Sequence, residues 1–252
     1  MLIALNDPTS LTGAYIRYFC TDIIYRELTC DRMGIFTGTK TLTLLWRLQH
    51  KYTTEGTINL IPDDAIKTIF ESGRSHRYYL DRKVDEMLLQ RIYELAILAP
   101  SASNLCPLRV TFVVSENQKA KVIEAAAEGN KAKIKSAPVV AIIAHDVKYY
   151  DLIEKLSPHM DGNAFRNKSD AELTQIAIEN SWLQAGLLIA AVRSLGLDSG
   201  AMSGFDKNVI DDYFYKNSSW RSNFLLNIGY GDETELHPRG PRPSFEEACQ
   251  IL

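Results

Sequence analysis

Two arginines and a serine form the first group of residues that could do chemistry. Arg74, Ser75 and Arg77 lie in the stretch GRSHR, directly before the aromatic pair Tyr78 and Tyr79. A guanidinium can bind a phosphate with two parallel hydrogen bonds, and a serine hydroxyl adds a further donor. The stretch therefore predicts a phosphate site, and a solvent-exposed basic turn is the alternative.

A polar turn follows in LAPSASNLCPLRVTFVV, between a predicted helix and a predicted strand. Ser101, Ser103 and Asn104 offer hydrogen-bond donors and acceptors there, between Pro100 and Pro107. Such groups suit the polar edge of a planar ring. An elaborate loop without a ligand is the alternative.

Two further stretches could contribute to the same site. In SGAMSGFD, Gly200 and Gly204 would let the backbone approach a ligand closely, so that free amide groups meet an electron-rich atom. Near the C-terminus, Arg242 stands between prolines in RGPRPSFEE, which gives the cation a defined direction. A plain turn and a surface arginine are the respective alternatives.

In their order and spacing, these four stretches resemble the flavin-dependent nitroreductase superfamily. The matching segments are GRSHRYYLD, APSASNLCP, LGLDSGAMSGFD, and NIGYGD followed by PRPSFEEA; they extend from about residue 60 to the C-terminus. The last two are most similar to one branch, the malonic semialdehyde reductases of pyrimidine degradation (the HadB/RutE group).

The resemblance implies an α+β fold in which helices flank a mixed or antiparallel central sheet. It also implies a homodimer with FMN at the subunit interface. The residues that would bind the FMN phosphate are Arg74, Ser75, Arg77 and Arg242. Those that would line the ribityl chain and the ring are Ser101, Ser103 and Asn104. Those that would approach the reactive edge of the flavin are Met202, Ser203 and Gly204.

The implied reaction is NAD(P)H-dependent reduction of malonic semialdehyde to 3-hydroxypropionate, with a nitro compound or a quinone as the alternative acceptor. NADH or NADPH would reduce the flavin, so no catalytic nucleophile from the protein is expected. His159, in SPHMD, is the residue expected near the substrate, whereas His145 is expected to be structural. A flavin-binding protein without turnover and an interaction module without a cofactor stay as alternatives.

Four positions depart from the family pattern. Gly73 stands where many relatives carry another arginine, and Arg77 replaces an asparagine of the most similar branch. Glu179 stands where that branch tends to have an arginine, and a carboxylate there would disfavour an anionic substrate. Cys106 replaces a polar residue, and we interpret it as a packing residue because no Cys–His pairing is evident.

Helices and strands that would position these residues alternate from residue 60 onward. Hydrophobic periodicity predicts helices at 61–72, 82–100, 117–130, 170–196 and 207–214, with a short helix after the C-terminal arm. We expect Asp85 to cap the second of these and Pro100 to end it, and Gly196 to end the long one. Strands are predicted at 108–115, 137–146 and 222–232, and a loop at 197–206. The apolar end of the long helix should be buried.

Composition limits the function classes. The 252 residues include 28 Lys and Arg against 31 Asp and Glu, a net charge of −3, which gives no overall basic surface for nucleic acid. Four scattered cysteines without a CxxC pair indicate neither a metal site nor a disulfide framework, so the cytoplasm is the expected location. The apolar stretch NSWLQAGLLIAAV is too short to span a bilayer, and no signal peptide is expected. The predicted partners are a small-molecule substrate and a second copy of the chain.

The first 57 residues differ from the rest. They show no sustained hydrophobic period and match no part of the family, so we predict an extension of unknown role, with a nitroreductase-like FMN-binding domain at 58–252. A genuine extension and an upstream stretch translated from a misplaced start both fit this pattern. GIFTGTKT, within the segment, lacks the GxxxxGK[ST] spacing of a phosphate loop.

Overall fold

The computed structural model describes residues 60–252. The predicted extension, residues 1–57, and the stretch GIFTGTKT lie outside the described residues. The described part of the chain forms an antiparallel sheet with helices packed on both faces, which confirms the predicted α+β fold.

The sheet contains β1 (Leu108–Val113), β2 (Val139–Asp146), β3 (Asp198–Met202) and β4 (Trp220–Gly229). Their order across the sheet is β1-β2-β4-β3, and each neighbouring pair is antiparallel. Every residue of β2 is buried, because this strand lies inside the sheet and is covered on both faces. The predicted buried strand at 137–146 is therefore confirmed.

Most of the helices lie in predicted segments. In chain order the helices are α1 (Asp63–Ile66, continued by a π-helical turn at Lys67–Glu71), α2 (Glu86–Ala96), α3 (Glu116–Ala125), α4 (Glu128–Ser136), α5 (Ile153–Leu156), α6 (Asn163–Arg166), α7 (Asp170–Ser194), α8 (Lys207–Phe214) and α9 (Phe245–Ala248). Of these, α5 and α6 were not predicted from the sequence. Within residues 60–252, no helix has the length and apolar character needed to cross a membrane.

The sheet divides the core into two layers. Alternate residues of β2, from Val139 to Ile143, pack with α2 and α7 on one face. The residues between them, from Val140 to Ala144, pack with α3, α4 and α8 on the other face. This alternation is the two-residue period of a strand. Helix α7 therefore packs against one face of the sheet, together with α2.

Helix ends confirm two of the predicted boundaries. The Asp85 carboxylate accepts a hydrogen bond from the Met87 amide at 2.8 Å and caps α2. Gly196 follows α7 with a φ of 72°, and its amide donates to the Arg193 carbonyl at 3.0 Å. A left-handed residue there closes the helix and suits glycine, which has no Cβ.

Two helix predictions need correction. The predicted helix at 117–130 is two helices, α3 and α4, because the backbone is extended at Ala126; α4 continues to Ser136. The second helix ends at Ala96, before Pro100, so Pro100 does not terminate it directly.

Two burial and strand predictions also need correction. The predicted loop at 197–206 contains β3, because pairing with β4 outweighs the weak strand preference of its small residues. The apolar end of α7 is only partly covered within one chain: Trp182, Leu183 and Leu187 are 48%, 50% and 41% exposed.

Candidate functional site

A basic cleft of about 320 Å³ lies between two segments that are far apart in sequence. Its walls are formed by residues 70–77 and 235–242, together with Arg193 from the last turn of α7. All four residues predicted to bind a phosphate line this basic cleft: Arg74, Ser75, Arg77 and Arg242. The structure therefore brings together residues from both ends of the domain.

Residues 73–77 are held against the outer edge of β3. Ser75 forms a parallel bridge with Ser199, and the His76 amide donates to the Ser199 carbonyl at 3.0 Å. A Cβ built on Gly200 would lie 2.2 Å from the His76 carbonyl oxygen. Gly200 thus permits close approach of another part of this chain, whereas the sequence had suggested close approach of a ligand.

The C-terminal segment closes the opposite wall. Arg74 donates to the His237 carbonyl, and Arg77 contacts Nε2 of the same histidine. Arg239 donates to the Glu71 and Gly73 carbonyls at 2.6 and 2.9 Å. These contacts fix the segment that carries Arg242 beside the segment that carries Arg74.

The charge of the basic cleft is strongly positive. Its arginines are Arg74, Arg77, Arg193, Arg239 and Arg242, and Glu235 also lines it. In the part of the chain that the structure describes, none of these arginines forms an ion pair with a carboxylate. Clustered cations repel one another unless an anion lies among them. The donors and charges of the cleft therefore fit a phosphate group.

The polar turn at 101–106 is an unusual piece of backbone. Ser103, Asn104 and Cys106 have φ values of 48°, 54° and 44°, in the left-handed region that residues with a Cβ rarely adopt. Each such residue costs about 1–2 kcal/mol. Strain of this kind persists only where surrounding contacts hold it, and it is often found at functional sites.

Hydrogen bonds to distant segments hold this polar turn. The Asn180 side chain of α7 accepts from the Ala102 amide at 2.7 Å. The Asn104 amide group donates to the Leu156 carbonyl at 2.8 Å, and the Ser157 hydroxyl donates to the Ser103 carbonyl at 2.6 Å.

Two of the predicted ring-lining side chains therefore serve the polar turn itself. The Ser101 hydroxyl accepts from the Cys106 amide at 3.0 Å, and Asn104 is engaged as described above. Ser103 is exposed. This is a simpler reason for the polar composition of the turn than the cofactor contacts expected from the sequence, although the two are compatible. The ring-lining role of these residues stays a prediction.

The remaining predicted residues are divided between two places. Met202 is partly buried against the core layer of α3 and α8, and the Gly204 carbonyl accepts from the Asn130 side chain at 3.0 Å. Ser203, between them, is exposed. His159 is exposed and lies two residues after Ser157, on the side of the polar turn.

The basic cleft and the polar turn lie at opposite corners of the sheet. The turn precedes β1, where Leu108 is level with His145 and hence with Arg221 of β4. Ser75 of the cleft forms a bridge with Ser199, which is level with Ile228. Seven residues along β4 at about 3.4 Å each, and three strand spacings of about 4.8 Å, place Leu108 and Ser199 roughly 28 Å apart.

Several large apolar side chains on and near α2 and α7 are exposed to solvent. Besides Trp182, Leu183 and Leu187 on α7, Met87 and Leu98 are each 77% exposed at the two ends of the α2 segment. Exposed apolar groups of this size are typical of surfaces that contact a protein, a membrane or a ligand.

Among the side chains of the basic cleft that carry a basic group, three were not predicted from the sequence: Arg193, His237 and Arg239. Arg193 stands in the last turn of a helix, where a cation commonly serves the helix C-terminus, so its position gave no signal. Arg239 lies in the same proline-containing arm as Arg242, and the same reasoning could have included it.

The structure thus defines an α+β protein with an arginine-rich cleft at a sheet edge. A model of the nitroreductase family matches residues 71–230, and the chain belongs to that family.

Curated relatives match along nearly their whole length. One from Ralstonia nicotianae is 39% identical over 188 residues, which cover 75% of this chain and 96% of the relative. One from Stutzerimonas stutzeri is 42% identical over 191 residues, covering 76% and 97%. Both are named as candidate NADH dehydrogenase/NAD(P)H nitroreductases.

Solved structures share the fold. A candidate nitroreductase from Bacillus subtilis has a TM-score of 0.69 at 20% identity and covers 76% of this chain and 100% of its own. A candidate nitroreductase from Exiguobacterium sibiricum, solved in complex with FMN, has a TM-score of 0.66 at 22% identity and covers 77% and 99%.

Proposed function

We propose that this protein is an FMN-dependent NAD(P)H oxidoreductase that works as a homodimer. The observation that carries the proposal is the basic cleft, where Arg74, Ser75, Arg77 and Arg242 converge without carboxylate partners in residues 60–252. The family membership and the names of the relatives support flavin as the ligand.

The residues of this chain bind and orient in this reaction. Bound FMN would supply the hydride-transfer chemistry between NADH or NADPH and the acceptor. The polar turn would line the ring. The residues that would hold the phosphate are Arg74, Ser75, Arg77 and Arg242, and those that would approach the reactive edge are Met202, Ser203 and Gly204. Affinity for the phosphate fixes the position of the ring, and this orientation is the protein's contribution to rate.

The positions of the basic cleft and the polar turn at opposite corners of the sheet support the homodimer. Within one chain, a flavin would have to extend across the whole sheet to contact both. Two copies related by a twofold axis can supply one set each, because such an interface repeats every contact twice. The exposed apolar residues of α2 and α7 are suited to cover one another in that dimer.

The first experiment is the visible spectrum of the purified protein. A bound flavin band that bleaches on addition of NADH or NADPH is the expected result. A colourless protein that does not take up FMN would contradict the proposal. If flavin is bound but neither NADH nor NADPH bleaches it, the protein binds flavin without turnover.

A mixed dimer tests the shared site. One variant carries Arg74→Ala and Arg242→Ala, and the other carries Ser101→Ala and Asn104→Ala. Coexpression of the two should restore flavin binding in about a quarter of all sites, since half of random dimers are mixed and each has one intact site. No recovery above either variant alone would refute a site built from two chains.

The physiological acceptor that we propose is malonic semialdehyde, reduced to 3-hydroxypropionate; a nitro compound or a quinone is the alternative. The resemblance of GLDSGAMSGFD and of the C-terminal arm supports the semialdehyde. Glu179 favours a neutral acceptor, because it is exposed on α7 beside Asn180, the residue that holds the polar turn.

Turnover of malonic semialdehyde, a nitroaromatic and a quinone separates these acceptors. If the semialdehyde is reduced fastest, Glu179→Gln should change little. If only the neutral compounds are reduced and Glu179→Arg introduces semialdehyde activity, the semialdehyde assignment is wrong and the flavin chemistry stands.

A further inference from the structure

Arg193 and Gly73 are in direct contact although they come from different parts of the chain. A Cβ built on Gly73 would lie 2.5 Å from Cζ and Nη1 of Arg193 and 2.7 Å from its Nε. Among the described glycines only Gly196 has a left-handed φ, so backbone conformation does not require glycine at position 73. The requirement at Gly73 is space for the guanidinium.

The Arg193 guanidinium is held in place but is not fully bonded. Nη1 donates to the Ile69 carbonyl at 3.0 Å, whereas the buried Nε has no hydrogen-bond partner among the described residues. A buried N–H of a cation without an acceptor is costly, so an acceptor brought next to this guanidinium would be favourable.

The surroundings of Arg193 favour an anion as that acceptor. Burial, and then the positive charge of Arg239, lower the pKa of Arg193, and Asp198 acts in the opposite direction. Asp198 is engaged elsewhere, since it accepts from the Gly231 amide at 2.9 Å and lies 3.4 Å from His76. The two arginines line the same basic cleft as Arg74 and Arg242.

We propose that Arg193 is a phosphate-binding residue of the basic cleft and that Gly73 is present because it leaves room for this guanidinium. The inference rests on the proposed function, because it takes the FMN phosphate as the anion. The competing interpretation is that Arg193 only secures the turn at Ile69.

The test compares FMN with riboflavin, which has the same ring and ribityl chain but no phosphate. Dissociation constants for both are measured with the full chain after removal of flavin. Arg193→Met should weaken FMN by roughly 10- to 150-fold, the scale of one hydrogen bond to a charged group, and should leave riboflavin nearly unchanged. Arg91→Met is the matched control, since Arg91 is an exposed arginine of α2 outside the cleft, 3.0 Å from Glu94. It should change neither constant.

Gly73→Ala is the second variant, because it keeps every cation and displaces only the Arg193 guanidinium. It should reproduce the FMN-specific loss, and adding it to Arg193→Met should cause little further loss, since both act on one contact. If Arg193→Met does not fold, Gly73→Ala decides alone.

Two results would overturn the assignment. One is an equal loss of FMN and riboflavin in Arg193→Met, which indicates a structural role. The other is a folded Gly73→Ala with unchanged FMN affinity. If the unaltered chain binds neither flavin, the proposed function itself fails. If it prefers FMN and Arg193→Met keeps that preference, only the role of Arg193 fails.

Discussion

Replacing Gly200 with alanine should separate residues 73–77 from the edge of β3. The new Cβ would lie 2.2 Å from the His76 carbonyl oxygen and 3.0 Å from the Tyr79 hydroxyl. An ordinary contact needs roughly 3.5 Å, so the segment that carries Arg74 and Ser75 must move by about 1 Å or more.

The expected decrease in the free energy of unfolding follows from the contacts that this movement disturbs. The hydrogen bond from the His76 amide to the Ser199 carbonyl, now 3.0 Å, would stretch beyond its useful range, a loss of about 1 kcal/mol. Overpacking of a well-filled site adds about 1–3 kcal/mol. The free energy of unfolding should therefore fall by about 2–4 kcal/mol, which lowers Tm by roughly 4–16 °C in a protein of this size.

Thermal unfolding without flavin is the assay, because a bound ligand would itself raise Tm. Gly129→Ala is the control: it adds the same methyl group in α4, where no heavy atom lies within 4 Å of the new Cβ. Alanine is the better helix former, so this variant should be unchanged or more stable by up to about 1 kcal/mol. Equal melting temperatures for Gly200→Ala and the unaltered protein would refute the reasoning.

Three further predictions concern the cofactor, the extension and pH. Arg74→Ala and Arg242→Ala should each weaken FMN binding by roughly 10- to 150-fold in equilibrium dialysis, and unchanged affinity in both would contradict the phosphate assignment. A chain that begins at Asn59 should keep its Tm and flavin content, because residues 1–57 show no sustained hydrophobic period and the family model matches only residues 71–230; loss of both would make the extension integral. Burial lowers the pKa of His145 despite its hydrogen bond to Asn223. The unfolded chain therefore binds the proton more readily, and stability should fall as the pH drops below about 6.5, by at most about 1.4 kcal/mol per pH unit. His145→Gln should flatten this part of the Tm profile, and an identical slope would contradict it.

Local sequence determined the elements whose causes are themselves local. The strand at 137–146 is a continuous apolar run, so it is buried wherever the sheet forms. Asp85 caps α2 with its own side chain, and Gly196 adopts the left-handed φ that ends α7. Arg74, Ser75, Arg77 and Arg242 could be nominated as a phosphate site because their side-chain chemistry is visible in the sequence.

Tertiary structure decided what depends on distant segments. SGAM is a strand because β4 and Ser75 pair with its two edges, which its own small residues do not indicate. Arg193 joins the basic cleft only because α7 ends beside Gly73. The distance between the cleft and the polar turn arises from strand order, which no local pattern encodes. Hydrophobic periodicity in the sequence shows which side of a helix or strand faces the core. A site depends also on which helices and strands come together, and this is decided by contacts between segments that are far apart in the sequence.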